Sequence, residues 1–157
     1  KKCTMKTTIT QNYKLLNQEQ GNKIIFEPIM KMISEMKDPL FKKIDMNNTC
    51  VTTQWFNIYE KGDFQELHEH LNNGKPQSMV IDGKRFEEIF SIVYILHDKS
   101  MESSLVFKDD EVVFDTSNQK DIHEGSVLIF PSSLKHEVKP VTIPGRITFA
   151  FNVACHF

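Results

Sequence analysis

The sequence predicts a mainly β domain of the α+β kind, with one supporting helix near its N-terminus. Three observations carry this. Phe26, Ile29, Met30, Ile33 and Met36 form an apolar stripe at the spacing of an amphipathic helix. Between residues 51 and 153, short β-branched and aromatic segments follow one another, as in strands. Turn-forming residues punctuate them at close intervals. Many short strands after one helix point to a sandwich, a barrel or a jelly roll.

Taken in order, residues 1–20 are polar, with a Thr-rich alternation near Thr7 to Thr10, and read as an edge strand or a flexible tail. The helix is placed over about 26–37. Pro28 suits its first turn, and Asp38-Pro39 ends it. Its methionines read as core filling against a sheet. Strands are expected at Val51–Tyr59, Ile89–Leu96, Ser104–Phe107, Glu111–Phe114, Ser126–Phe130 and Ile147–Val153. Turns are expected at Lys61-Gly62-Asp63, Asp109-Asp110, Glu124-Gly125, Pro131-Ser132-Ser133 and Pro144-Gly145. Leu71–Glu88 is polar and holds Asn72-Asn73-Gly74, Pro76 and Asp82-Gly83. It reads as a long loop and a candidate substrate lid. With no repeat and no linker, all 157 residues are assigned to one domain, 1–157.

Composition narrows the class. Hydrophobic residues at 39% and charged residues at 25% are the proportions of a soluble globular chain. The longest apolar run, Ile92–Leu96, is too short to cross a bilayer. A net charge of -2 gives no field that would attract nucleic acid. Lys1–Gln20 lacks the apolar segment of a secretory signal. Cys3, Cys50 and Cys155 are odd in number and form no Cys-x-x-Cys pair, so free thiols in a reducing, cytoplasmic setting are expected. Oligomeric state is open.

The chemistry gathers on histidine. His68-Glu69-His70 places two imidazoles at i and i+2, on one face of a strand. They can chelate one ion while Glu69 points the other way. Alone, such a pair also fits an exposed polar strand. His136 is the third candidate, at a strand end after Phe130-Pro131-Ser132-Ser133-Leu134-Lys135. Three such ligands leave open positions on a metal. Arg146 starts the last strand, and Thr148 shares its face. A guanidinium beside a hydroxyl suits a carboxylate, although a surface arginine fits the sequence as well. His97, His123 and His156 lack comparable neighbours and read as surface or structural residues. Trp55, Phe56 and Phe64 read as core rather than pocket wall. Lys84 and Arg85 read as solvated charges rather than contacts for an anionic substrate.

These residues resemble the 2-oxoglutarate/Fe(II)-dependent oxygenase superfamily, in particular its small prolyl-hydroxylase-like members from marine bacteria and phages. The resemblance lies in Trp55-Phe56-Asn57-Ile58-Tyr59, Lys61-Gly62-Asp63 through His68-Glu69-His70, Phe90 to Leu96, Gly125 through Pro131 to His136, and Arg146-Ile147-Thr148 leading to Asn152. It implies a double-stranded β-helix, the jelly roll shared with cupins. It implies Fe(II) as metal, 2-oxoglutarate as small-molecule cosubstrate, and hydroxylation of a primary substrate with release of succinate and CO2. His68 and His136 match the family's iron-binding histidines. Arg146 matches the residue that grips the cosubstrate's distal carboxylate, with Thr148 as its helper and Tyr94, Asn57 and Tyr59 as further contacts. His70 departs from the pattern, because the family usually has Asp or Glu there. Strand geometry still makes His70 a ligand, giving three neutral nitrogens; the alternatives leave His70 behind the ligands with water or another group on the iron, or bring Glu69 in through a bulge. Protein prolyl residues, free amino acids, nucleobases and small metabolites all remain open as primary substrate.

Two other readings share the fold. Gly62 five residues before His68-x-His70, and Gly125 before Pro131 and His136, also resemble the two cupin motifs. The usual cupin Glu and the later Asn are absent, with Asn73-Gly74-Lys75 and Pro140 in their places, and Arg146 has no role in that scheme. A binding module without catalysis is the other reading, and the missing carboxylate is its support.

Overall fold

The computed structural model describes residues 27–35, 48–99 and 105–156. Helix α1 spans Glu27–Glu35 and nine strands follow: β1 Thr49–Tyr59, β2 Gln65–His68, β3 Ser78–Ile81, β4 Lys84–His97, β5 Leu105–Asp109, β6 Val112–Asp115, β7 Val127–Pro131, β8 Lys135–Val138 and β9 Arg146–Cys155. One sheet runs β1-β9-β4-β3, with β7 also paired to β4; the other runs β2-β8-β5-β6. All pairings are antiparallel. This is the double-stranded β-helix expected from the sequence.

The two-residue period of the strands divides the larger sheet into two apolar faces. On β9, Phe149, Phe151 and Val153 point outward and pack with Phe90 and Ile92 of β4. Ile29 of α1 covers this face, as expected for that position of the stripe. Inside, Tyr59, Phe130 and Val93 of the larger sheet meet Leu105, Phe107 and Val138 of the smaller one. The polar side chains of β9 face inward as well: Arg146 and Thr148 are 2% and 1% exposed.

The structure differs from the sequence reading in three places. Leu71–Glu88 is not one long loop. After a short turn bridged by Asn72 and Lys75, it contains β3 and the first residues of β4, paired as Ser78–Ile81 with Lys84–Glu87. Its polarity reflects an exposed hairpin, with Val80 71% exposed. Lys84 and Arg85 therefore lie on a strand, where Arg85 pairs with Glu87 at 2.9 Å. The strand expected at Ile89–Leu96 is also longer, because the hairpin extends it. The tail at 1–20 and Cys3 lie outside the described residues.

Candidate metal centre

Two chain segments deliver the three histidines. His136 lies on β8, opposite His68 of β2 in the strand register. The β2–β8 register shifts between Gln65 and His68, and β2 ends at His68. His70 thus reaches the site from a bend beyond the strand. Its backbone N–H donates to the Ser132 carbonyl at 2.8 Å, which ties it to the turn leading into β8. One candidate donor atom from each of His68, His70 and His136 lies within 4.8 Å of the others. Their ring centroids are 4.3 to 5.4 Å apart. Glu69 is not in this cluster among the described residues.

Hydrogen bonds decide which nitrogen each ring offers. His68 Nδ1 is 2.7 Å from the Glu66 carbonyl, and His136 Nδ1 is 2.9 Å from the Leu134 carbonyl. A carbonyl only accepts, so both Nδ1 atoms carry the proton and Nε2 keeps its lone pair. His70 Nδ1 meets Ser91 Oγ at 2.6 Å and Asn152 Oδ1 at 3.0 Å. Burial holds the His136 imidazole neutral, its pKa pulled down to about 4; the Leu134 carbonyl opposes this, and His68 and His70 reinforce it. Burial also lowers His70, against the hydrogen bond to Asn152. Neutral imidazoles are the form that binds metal.

The histidines open onto a cavity of about 260 Å³, lined also by Trp55, Asn57, Tyr59, Arg146 and Thr148. Gly145, at φ 95°, makes the turn before β9; its N–H donates to the Tyr59 carbonyl at 2.9 Å. A side chain there would be strained, so the glycine lets β9 begin with Arg146 already inside. Arg146 Cζ stands 5.0 Å from the Tyr59 ring centre, and its Nε is 3.5 Å from Asp98 Oδ2. Among the described residues, Arg146 Nε and Nη1 have no hydrogen-bond partner, a costly state for a buried cation. Asn57 Nδ2 donates to Thr148 Oγ1 at 3.1 Å, which leaves the Thr148 hydroxyl proton for another acceptor. Burial raises the Tyr59 hydroxyl pKa, and Arg146 and Thr148 oppose that rise.

Of the residues singled out in the sequence, Tyr94 is not brought to the cavity. It packs on the outer apolar face with Phe90 and Ile92, while its neighbour Val93 lines the cavity. One step along a strand reverses the face. Trp55, read as core, is a cavity wall edge-on to His70 at 5.8 Å; Phe56 is core and Phe64 is 36% exposed. His97 pairs with Glu124 at 3.0 Å, and the Nδ1 atoms of His123 and His156 meet backbone carbonyls. Sequence reasoning missed Asp98, Ser91 and Gln65. The last donates through Nε2 to Asn57 Oδ1 at 3.4 Å.

Two antiparallel sheets around a cavity with three convergent imidazoles and a buried arginine define a double-stranded β-helix whose histidine cluster could hold a metal ion. The family model of the 2OG-Fe(II) oxygenase superfamily matches residues 54–154, and the chain belongs to that superfamily. Among solved structures, it is similar to an oxidoreductase of the 2OG-Fe(II) oxygenase family from Burkholderia pseudomallei, with 16% identity and a TM-score of 0.52 over 82% of this chain and 57% of that one. It is also similar to a Pseudomonas putida prolyl-4-hydroxylase, with 19% identity and a TM-score of 0.41 over 66% of this chain and 50% of that one. The chain thus spans little more than half the length of these two structures. An RmlC-like cupin protein from Desulfovibrio desulfuricans matches at 15% identity and a TM-score of 0.37, over 74% of this chain and 94% of that one. No curated protein matches.

The superfamily's metal and cosubstrate are Fe(II) and 2-oxoglutarate, and the residues present fit both. Imidazole nitrogens suit Fe(II), and the unbonded N–H groups of Arg146 suit a carboxylate. Among the described residues, no helix is long and apolar enough to cross a membrane.

Proposed function

We propose that this chain is a 2-oxoglutarate- and Fe(II)-dependent dioxygenase of the hydroxylase type. In this reading His68, His70 and His136 are the iron ligands, and Arg146 anchors the far carboxylate of 2-oxoglutarate. The observation that supports it most is that three convergent imidazoles and a buried arginine with unbonded N–H groups line one cavity. A metal site alone fits many chemistries, whereas the arginine calls for an anionic second ligand in the same space.

Each residue then has a defined task. Arg146 faces Asp98 through Nε and offers Nη1 as a donor, and the Tyr59 ring beside its Cζ supports the guanidinium. Thr148 has its oxygen occupied by Asn57 and its hydroxyl proton beside Tyr59, and it serves the same carboxylate by turning that proton from Tyr59 to the bound anion. Gln65 fixes Asn57 in turn. Val93, Leu105, Val138 and Ala150 line the cavity and keep water from the bound ligands. Iron with 2-oxoglutarate supplies an oxidant from O2 for C–H hydroxylation, with release of succinate and CO2. The protein contributes binding and orientation, so no side chain is assigned as acid or base. Cys50 and Cys155 are free thiols, which supports a reducing, cytoplasmic setting.

The test is anaerobic addition of Fe(II), then 2-oxoglutarate, watching for the visible absorption of the metal–keto-acid chelate. Its appearance, followed by succinate on admission of O2, supports the reading. Iron uptake without the chelate band favours a cupin-type centre.

A further inference from the structure

We propose that Asn152 is a positioning residue that fixes His70 in its Nδ1–H tautomer and thereby makes Nε2 of His70 a metal donor. This rests on the reading of the three histidines as iron ligands and deepens it at the position where the family usually has a carboxylate.

Asn152 sits on β9, one inward step beyond Arg146, Thr148 and Ala150. The register sets it directly between Thr53 of β1 and Ser91 of β4. The three side chains form a row across the sheet. Asn152 Nδ2 donates to Thr53 Oγ1 at 3.1 Å. Ser91 Oγ donates to Asn152 Oδ1 at 2.8 Å. Ser91 has one hydroxyl proton, and Asn152 Oδ1 takes it at 2.8 Å, closer than Ser132 Oγ at 3.4 Å. Its oxygen can therefore only accept from His70 Nδ1, at 2.6 Å. Asn152 Oδ1, at 3.0 Å from the same nitrogen, is an acceptor only. Asn152 Oδ1 requires His70 Nδ1 to be the donor, and Ser91 Oγ accommodates it as a second acceptor. A neutral imidazole has one N–H, so the Nε2 lone pair is free for a metal.

The row has a direction, and the direction decides the ligand set. With the Asn152 amide reversed, Nδ2 would face Ser91 and His70, and the Ser91 hydroxyl would donate to His70 Nδ1. The imidazole proton would then sit on Nε2, which could not bind metal. His68 and His136 are not subject to this choice, because backbone carbonyls fix their Nδ1–H. His70 is the one imidazole of the cluster whose donor atom depends on side chains. Ser91 is 1% exposed and Asn152 7%, so water does not readily replace the row. An imidazole whose Nδ1–H is given to oxygen is also the more basic ligand, an advantage where no carboxylate offsets the metal charge.

The test uses the metal-free protein and Co(II). Histidine side-chain 1H–15N correlation spectra at about pH 8, above the ordinary imidazole range, report the tautomer without any turnover. The wild type is expected to show Nδ1–H for His70, as for His68 and His136. Asn152→Leu should remove that preference at His70 alone and weaken Co(II) binding by about 10- to 100-fold, the usual effect of losing a group that orients a ligand. Asn152→Asp, which can only accept, should restore both. Ser91→Ala should lower Co(II) affinity in the same direction, and with Asn152→Asp it carries the test whether or not the leucine variant folds. A wild-type His70 protonated on Nε2 overturns the inference while leaving iron binding by the other residues intact. Unchanged Co(II) affinity in Asn152→Leu or Ser91→Ala overturns it too. A wild type that takes up no Co(II) or Fe(II) sinks the metal centre itself, and the role of His70 with it.

Discussion

Replacing Arg146 should abolish recognition of the far carboxylate of 2-oxoglutarate while leaving the metal in place. Arg146 is 2% exposed, with two N–H groups lacking partners among the described residues. A carboxylate bound there would make charge-assisted bonds out of water's reach. Removing one partner of such a buried, hydrogen-bonded pair costs about 2–5 kcal/mol. At about 1.4 kcal/mol per tenfold, the Kd for 2-oxoglutarate rises by between about 30-fold and a few thousand-fold. Two variants divide the effect. Arg146→Lys keeps a cation beside Asp98 but loses the planar fork, and should fall near the lower bound. Arg146→Ala loses both and should fall near the upper. The assay is anaerobic titration of the Fe(II)-loaded protein, following the visible chelate absorption. Pyruvate, which lacks the distal carboxylate, is the control. Its affinity should be the same in the wild type and both variants. Equal losses for pyruvate and 2-oxoglutarate, or no loss for either, would refute the role given to Arg146.

Three further outcomes follow from the same geometry. Asp98→Ala takes away the carboxylate nearest a buried guanidinium and should destabilise the fold by about 3–5 kcal/mol. Added 2-oxoglutarate with Fe(II) should recover part of this by supplying the missing anion, and a thermal melt that ligand leaves unchanged argues against the shared location. His70→Asp should retain or strengthen Fe(II) binding, since it restores the family's usual donor in the same place; an unaltered Co(II) spectrum would put residue 70 outside the ligand set. Acid should destabilise the metal-free protein. His136 has its folded pKa depressed to about 4, so below the unfolded value near 6.5 only the unfolded chain binds that proton. Stability present above about pH 6.5 is lost as pH falls toward 4, by roughly 3 kcal/mol for this group. His70 adds in the same direction. Melts of metal-free protein between these limits check it, and a flat profile contradicts it.

β1, β5, β6, β7 and β9 announced themselves through β-branched and aromatic residues and lie within a residue or two of their expected limits. The β3 strand did not, because Ser78–Ile81 is short and follows Asn72-Asn73-Gly74 and Pro76, the composition of a loop. The three histidines carried a legible spacing. Their convergence owes less to regular strand alternation than the sequence implied: β2 ends at His68, and a backbone bond to Ser132 brings His70 in. Tyr94 shows the limit of a family match without a register, since a shift of one residue exchanges cavity for outer core. Ser91 and Asp98 have no motif around them. Only the pairing of β4 with β9 sets one beside Asn152, and only the fold brings the other to Arg146.

If His68, His70 and His136 hold iron in a cavity that also binds 2-oxoglutarate, stoichiometric anaerobic titration of the wild type beside His136→Ala reveals it. The wild type should take up one equivalent of Fe(II) and develop the visible chelate band with one equivalent of 2-oxoglutarate, and His136→Ala should do neither. Equal iron uptake by His136→Ala, or a wild type that binds iron and shows no band, would contradict it.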